Sequence, residues 1–141
     1  MKGNISIYMC YKENSVFLKE ENRDGYIVSA LMKKVWAVEL DLLSELDRVC
    51  KKYNIKYYAA FGTLLGAVRN KGFIPWDDDI DVCMLRDDYA KFKEVAKNEF
   101  GGKYYYQDWY NSCGRTWIFS KLRNSETTAI EYPEKPKEFN Q

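Results

Sequence analysis

The sequence feature that most constrains the fold is a stretch of helical periodicity between Ser29 and Asn54. Apolar residues recur there every three or four positions: Leu31, Val35, Val38, Leu42, Leu46, Val49 and Tyr53. Most charged residues, among them Lys33, Glu39 and Asp41, fall between these positions and are assigned to the solvent-facing side. The spacing predicts an amphipathic helix of about six turns. Ser29 is suited to cap its N-terminus, and Asn54 is suited to end it in the left-handed conformation.

The segments on either side of this helix alternate between strand-like and helix-like patterns. We predict an arm or hairpin over residues 1–28 and a tail at 133–141. Strands are predicted at 55–61, 79–85, 103–110, 116–123 and 127–132. Helices are predicted at 64–70 and from residue 87 or 88 to 98. The order of elements predicts an α+β fold, with one domain over residues 29–132. The aromatic residues of 104–110 suit a strand that packs into a core better than a cage for a quaternary ammonium group.

The composition excludes several classes of function. The 141 residues contain no histidine, which rules out Ser-His-Asp triads, Cys-His nucleophiles and His-ligated zinc. Lys plus Arg number 22 and Asp plus Glu number 21, so the sequence predicts no nucleic-acid partner. No stretch is long and apolar enough for an integral membrane segment, and we expect a cytoplasmic protein. Its location could extend to the inner face of the membrane.

A run of acids carries the strongest chemical signal. Asp77, Asp78, Asp79 and Asp81 crowd one short segment, a charge density that favours a bound cation or solvent screening. If a strand starts at Asp79, then Asp79 and Asp81 share one face while Ile80 points to the other. Paired carboxylates of this kind are typical ligands of Mg²⁺ or Mn²⁺. The alternative is a solvated acidic loop.

A second signal lies sixteen residues before the first acid of that pair. Gly62 and Thr63 stand where a predicted strand turns into a short helix. A glycine there allows close approach of a phosphate, and the helix N-terminus offers free N–H groups. A plain tight turn is the alternative for these two residues alone. Together, a phosphate cradle and two carboxylates match the requirements of metal-assisted phosphoryl transfer.

The residues from Gly62 to Val82 read GTLLGAVRNKGFIPWDDDIDV, and this run closely resembles the LicD family of phosphocholine transferases. Fukutin and fukutin-related protein belong to the same wider group. The resemblance extends over roughly residues 30–128. It implies a nucleotidyltransferase-like fold, with a mixed sheet flanked by helices. It also implies transfer of a phospho-alcohol from CDP-choline or a related CDP-alcohol to a glycan acceptor at the cell surface, such as lipopolysaccharide or teichoic acid.

The resemblance also implies roles for individual residues. Gly62 and Thr63 would bind phosphate, Asp79 and Asp81 would bind Mg²⁺ or Mn²⁺, and Asp77 would act in support or as a general base. Two cations at family positions, Arg69 and Lys121, are candidates for binding donor phosphates, with ordinary surface charge as the alternative. Trp76, beside the acids, suits stacking on a base or contact with choline, or it anchors the loop.

Two questions stay open at this level. Family members continue past residue 141, so the chain is either a fragment or a short homologue. Their sites commonly use a third carboxylate, for which Glu131 is a candidate, although an ordinary surface acid fits that position equally well. The alternative functions are a nucleotide-sugar glycosyltransferase with Asp79-x-Asp81 as its metal motif, and a nucleotide- and metal-binding module without turnover.

Overall fold

The computed structural model describes residues 16–111 and 119–127, and the chain forms two compact units, Met1–Glu99 and Phe100–Gln141. In chain order the elements are β1 (Glu21–Arg23), β2 (Tyr26–Val28), α1 (Ala30–Tyr53), β3 (Tyr58–Ala59), α2 (Phe61–Arg69), β4 (Val82–Cys83), α3 (Arg86–Glu99), β5 (Tyr104–Gln107) and β6 (Lys121–Asn124). The strands pair as three two-stranded antiparallel sheets, β1 with β2, β3 with β4 and β5 with β6. Helices and sheets together confirm the predicted α+β class. The larger nucleotidyltransferase-like sheet and the predicted domain limits stay predictions.

Helix α1 has the ends that its sequence predicts. The Ser29 hydroxyl accepts a hydrogen bond from the Met32 backbone N–H at 3.1 Å, which satisfies one of the free donors of the first turn. Asn54 ends the helix in the left-handed conformation, with φ 51° and ψ 52°. Both predictions are confirmed because capping depends on short-range hydrogen bonds that are encoded beside the helix.

The buried face of α1 differs in part from the predicted stripe. Leu42, Leu46 and Val49 are buried as expected, but Leu31 is 72% exposed. Lys33 and Asp41, which we placed on the solvent side, are 1% and 5% exposed. The prediction was wrong at these three positions because the helical period alone does not show which other elements pack against each turn of the helix.

The β1–β2 hairpin explains the buried lysine. Its two-residue turn, Asp24–Gly25, has positive φ at both positions, as the right-handed twist of a tight hairpin requires. The Lys33 ammonium forms an ion pair with Glu21 of β1 at 3.1 Å and lies 4.4 Å from the centre of the Phe17 ring. The hairpin therefore supplies the charge that a buried lysine needs, and Phe17, which precedes the hairpin, supplies the aromatic face.

Strands β3 and β4 are shorter than predicted. They pair through Tyr58 with Cys83 and Ala59 with Val82, so the predicted strands at 55–61 and 79–85 were wrong in extent. Helix α2 begins at Phe61 rather than at residue 64, because the chain turns directly out of β3 into the helix. Asp79 consequently precedes the strand, and its alternation with Asp81 does not arise from strand geometry.

Helix α3 is held to the end of α1 by a hydrogen bond from the Lys91 ammonium to the Tyr53 carbonyl and by the carboxylate of Glu99. Glu99 accepts hydrogen bonds from the Tyr53 hydroxyl at 2.6 Å and the Lys52 ammonium at 2.7 Å, and Arg48 lies 3.4 Å away. The hydrogen bonds from Lys52 and Tyr53, followed by the positive charge of Lys52, lower the pKa of Glu99 to about 2. Phe92 lies on the predicted inner face and is buried.

The second unit contains the β5–β6 hairpin, in register from Tyr104 with Asn124 to Gln107 with Lys121. Of its aromatic residues Tyr106 is 6% exposed, whereas Trp109 and Tyr110 are 56% and 79% exposed, so the predicted core packing applies to only part of the run. The predicted strand at 127–132, Glu131 and the tail lie outside the described residues, except for Thr127, which is not in a strand. Within the described part of the chain no helix has the length and apolarity to cross a membrane.

Candidate active site

The N-terminus of α2 forms one side of the candidate site. Ala60 occupies the N-cap position without a side-chain cap, and Phe61 has φ 43°, a conformation that glycine adopts at lower cost. The Leu64 N–H donates to the Ala60 carbonyl at 3.1 Å, so the N–H groups of the first turn before it have no acceptor inside the helix. Such a turn favours an anion in front of it.

Gly62 lies directly against the acidic run. A Cβ atom at this position would be 2.7 Å from Oδ2 of Asp77 and 3.6 Å from its Cγ. Any side chain here would displace the carboxylate, so the glycine permits the close approach of Asp77. The predicted cradle and the predicted acids are therefore neighbours in space.

Thr63 joins the same two segments through a hydrogen bond. Its Oγ1 accepts from the Asp81 backbone N–H at 2.8 Å, and the Ala60 N–H donates to the Asp81 carbonyl at 3.0 Å. The hydroxyl takes the N–H of Asp81 away from the strand ladder, which accounts for the late start of β4. The Thr63 hydroxyl proton remains available to an acceptor in the site.

The acids themselves form a cluster. Asp77, Asp78 and Asp79 each place a carboxylate oxygen within 4.8 Å of the others. Burial raises the pKa of Asp77, and the negative charges of Asp78 and Asp81 raise it further. Asp77 is half-buried and Asp78 and Asp79 are exposed, so the group is a local concentration of negative charge that a bound cation would neutralise.

Glu39 of α1 is a further member of this charge cluster, and our sequence analysis missed it. We assigned it to the solvent side of the helix, but it is partly buried, and burial together with the charges of Asp79 and Asp78 raises its pKa to about 7. The available signal was its position three residues after Trp36 and next to Leu40, since both of these face the acidic run. A helical wheel shows the periodicity of one helix only, so it did not show that Glu39 lies near the acidic run.

Trp36 fixes the acidic run on α1. Its side chain is 0% exposed, and its indole Nε1–H donates to the backbone carbonyl of Asp77 at 2.7 Å. The indole stacks on Phe73, with ring centres 4.7 Å apart and an angle of 5° between the rings. The backbone of the first acid is thus held both by a buried side chain and by its own loop, where its N–H donates to the Ile74 carbonyl at 3.0 Å.

A cavity of about 150 Å³ lies beside Gly62 and Thr63, between α1, α2 and the loop that leads to the acids. Hydrocarbon groups form most of its wall, contributed by Leu40, Leu43, Ala67, Phe73, Ile74 and Ile80. Thr63 and Asp77 also line the cavity, but polar atoms form almost none of its wall. Ala67 and Gly72, also on the wall, are exposed, so the cavity opens to solvent.

The remaining predicted site residues lie outside this cluster. Arg69 is exposed at the end of α2, where its Nε donates to Asn70 at 2.9 Å. Trp76 is 60% exposed and meets the Tyr26 ring edge-on, with ring centres 5.6 Å apart. Lys121 belongs to the second unit, at the start of β6. The structure places Gly62 against the Asp77 side chain and bonds Thr63 to the backbone of Asp81. Among the described residues, the carboxylate of Asp79 is grouped with those of Asp77 and Asp78, and Asp81 is not part of that group.

The cluster has the donor set that a divalent cation requires. All its side-chain donors are carboxylate oxygens, which suit Mg²⁺ or Mn²⁺ and not a soft metal. Ligand oxygens around Mg²⁺ lie at most roughly 4.2 Å apart, so small side-chain rotations bring oxygens now within 4.8 Å into one coordination sphere. The residues present therefore fit the implied metal.

Comparison with known proteins agrees with this site. The family model described as LicD/FKTN/FKRP, nucleotidyltransferase domain, matches residues 54–135, more than half of the chain. The chain belongs to the LicD family. The matched range contains the α2 cradle, the acidic run and β4, so LicD membership rests on the same residues as the site.

Individual relatives support this LicD assignment. The chain is 54% identical over 56 residues to the lipopolysaccharide cholinephosphotransferase LicD of Haemophilus influenzae, a match that covers 40% of the chain and 21% of the relative. It is 34% identical over 119 residues to an uncharacterized protein of Rickettsia prowazekii, covering 83% of the chain and 44% of that protein. A Rickettsia typhi protein is 33% identical over 104 residues, which is 70% of the chain and 33% of the relative.

The chain spans less than half the length of each of these curated relatives. No solved structure gives a significant match to the LicD-family chain.

Proposed function

We propose that this chain binds a CDP-activated alcohol, such as CDP-choline, and transfers its phospho-alcohol group to a glycan of the cell surface with the help of Mg²⁺ or Mn²⁺. The observation that carries the proposal is the hydrogen bond between Thr63 and Asp81, because it joins the phosphate cradle to the carboxylates. Membership of the LicD family and the cholinephosphotransferase activity for which the Haemophilus relative is named support the same reaction class. A cytoplasmic location, near the inner face of the membrane, stays a prediction.

The cradle binds the donor diphosphate in this proposal. The free N–H groups at the start of α2 and the Thr63 hydroxyl donate to phosphate oxygens, and Gly62 allows the phosphate to approach the backbone. Arg69 adds positive charge toward the donor, and Trp76 offers an exposed ring for stacking. The role of Lys121, in the second unit, stays a prediction.

The carboxylates hold the cation and accept the proton. Asp79 and Asp81 are the proposed metal ligands, and a bound cation neutralises charge on the phosphate oxygens during transfer. Asp77 is proposed as the base that takes the proton of the attacking glycan hydroxyl. Its raised pKa supports this role, because a general base works best when its pKa approaches the pH of the reaction.

Calorimetry with purified protein tests the donor site. CDP-choline is titrated in the presence of Mn²⁺ into the natural chain, into D79N/D81N and into E94Q/E126Q, which removes two exposed charges elsewhere. The proposal expects metal-dependent heat in the natural chain and in E94Q/E126Q, and its loss in D79N/D81N. Absence of heat from the folded natural chain would refute CDP-choline as the donor.

Product analysis with a lipopolysaccharide acceptor then tests the reaction. Release of CMP supports phospho-alcohol transfer, whereas release of a nucleoside diphosphate from a nucleotide sugar would identify a glycosyltransferase. Binding of CDP-choline without release of CMP would identify a module that lacks turnover.

A further inference from the structure

We propose that Arg23 of β1 is a positioning residue of the cation site, because it fixes the loop that carries the acids without binding the cation itself. This inference rests on the proposed function, since it concerns the cation that Asp79 and Asp81 are proposed to hold. Arg23 and the acids belong to the same compact unit. The β1–β2 hairpin is thereby part of the site although it supplies no ligand.

The guanidinium of Arg23 contacts the loop four residues before the first acid. Its Nη1 donates to the backbone carbonyl of Phe73 at 3.4 Å, in a part-buried position. The guanidinium carbon also lies over the Trp36 ring, 4.9 Å from the ring centre. Trp36 in turn stacks on Phe73 and donates to the Asp77 carbonyl. Arg23 therefore holds both the loop and the side chain that supports the first acid.

Glu21 orients this guanidinium. Glu21 and Arg23 are two residues apart in β1, so their side chains share one face of the strand. The Glu21 carboxylate forms ion pairs with Arg23 and with Lys33, and the Lys33 ammonium lies 5.1 Å from the centre of the Trp36 ring. A planar guanidinium presents a fixed fork that can donate to a carboxylate and a carbonyl at once, which an ammonium group does not provide.

The hairpin contacts the same loop at further points. The Tyr26 ring of β2 meets the Trp76 ring edge-on at 5.6 Å, directly before the first acid. A Cβ atom at Gly72 would lie 3.6 Å from Arg23 Nη1, so the guanidinium runs beside the loop backbone. Ligands of a functional site must be held to within roughly 0.5 Å of their working positions. A loop released from Arg23 would lose that precision while all its carboxylates remain present.

Positioning and charge predict opposite results when Arg23 is replaced. If Arg23 acts only through its positive charge, then Arg23→Gln should bind a cation more tightly, because a repulsive charge is removed. If Arg23 holds the loop, then Arg23→Gln should bind a cation more weakly. Arg23→Lys keeps the charge and loses the fork, so it tests the hold on the loop alone.

Calorimetry with Mn²⁺ on the natural chain, Arg23→Gln and Arg23→Lys measures this effect. Arg48→Gln is the matched control, because Arg48 also joins two elements of this unit, through ion pairs with Glu45 and Glu99. It lies roughly 18 Å along α1 from Trp36. Circular dichroism checks that each variant is folded. The electron paramagnetic resonance spectrum of the bound Mn²⁺ reports the symmetry of its ligands, which a loss of stability alone does not change.

Arg23→Gln is expected to bind Mn²⁺ about tenfold more weakly and to alter its resonance spectrum, with a smaller loss in Arg23→Lys. Arg48→Gln should stay within about twofold of the natural affinity and keep the natural spectrum. Unchanged or tighter binding in Arg23→Gln would overturn the positioning role, and unchanged binding in Arg23→Lys would do so if Arg23→Gln does not fold. An equal loss in Arg48→Gln would overturn it as well. Failure of the natural chain to bind Mn²⁺ would instead overturn the cation site of the proposed function.

Discussion

Gly66→Ala is expected to destabilise the protein although alanine is the better helix former. The loop that carries Gly72 and Ile74 crosses α2 so closely that a Cβ at Gly66 would be 2.5 Å from the Gly72 carbonyl oxygen and 3.1 Å from the Ile74 nitrogen. Both obstacles are backbone atoms, so they cannot rotate away as a side chain does. Either the loop or the helix has to move.

The expected magnitude follows from two opposing effects. Overpacking a tight contact costs about 1–3 kcal/mol. Replacing a helical glycine with alanine returns up to about 1 kcal/mol. Because both obstacles are backbone atoms, the overpacking cost should lie at the upper end of its range, about 2–3 kcal/mol. Less the return of about 1 kcal/mol, the free energy of unfolding should fall by about 1–2 kcal/mol in Gly66→Ala.

Urea denaturation followed by circular dichroism measures this difference. Gly101→Ala is the matched control, because a Cβ there meets no atom within 4 Å and the substitution should change stability by less than about 0.5 kcal/mol. The slope of unfolding against urea should stay unchanged in both variants. A Gly66→Ala protein as stable as the natural chain would refute the close approach of loop and helix.

The other predictions concern the acidic run. Because Glu39 has a pKa of about 7 against an ordinary 4.5, the folded state binds its proton more tightly than the unfolded state. The unfolding free energy in EDTA should thus fall by roughly 1–3 kcal/mol as the pH rises from about 5 to about 8. A fall just as steep in Glu39→Gln would contradict the raised pKa of Glu39. Gly62→Ala should keep near-natural stability, because the side chain of Asp77 can rotate away from the added Cβ. The same substitution should weaken Mn²⁺ binding in calorimetry. Unchanged binding would contradict the close approach of Asp77 to Gly62. Trp36→Phe leaves the Asp77 carbonyl without its donor and should lower the unfolding free energy by about 1–3 kcal/mol in urea, whereas no change would show that the bond contributes nothing.

Sequence alone predicted the parts of this fold that depend on neighbours along the chain. Ser29 and Asn54 bound α1 as expected because each cap acts within one helical turn. The acidic run and the Gly62-Thr63 pair were recognised from residue type and spacing, and their proximity followed from their shared motif.

What sequence did not predict depends on contacts between distant segments. Glu39 belongs with the acids only because α1 packs on their loop, and Lys33 is buried only because a hairpin covers it. The late start of β4 depends on the hydroxyl of Thr63, a competitor for the Asp81 N–H that strand propensity does not include. Propensity and periodicity describe one element at a time, whereas each of these three results depends on contact between two separate segments of the chain.

The indole bond from Trp36 to the Asp77 carbonyl also has a consequence for the order of folding. It closes a loop of 41 residues, so the acids reach their final position only after the long helix has docked. A peptide cut from the acidic motif alone would contain the carboxylates but not their support. Cation binding should accordingly report on the packing of the whole first unit, and mutations far from the acids that loosen the helix should abolish it before they unfold the chain.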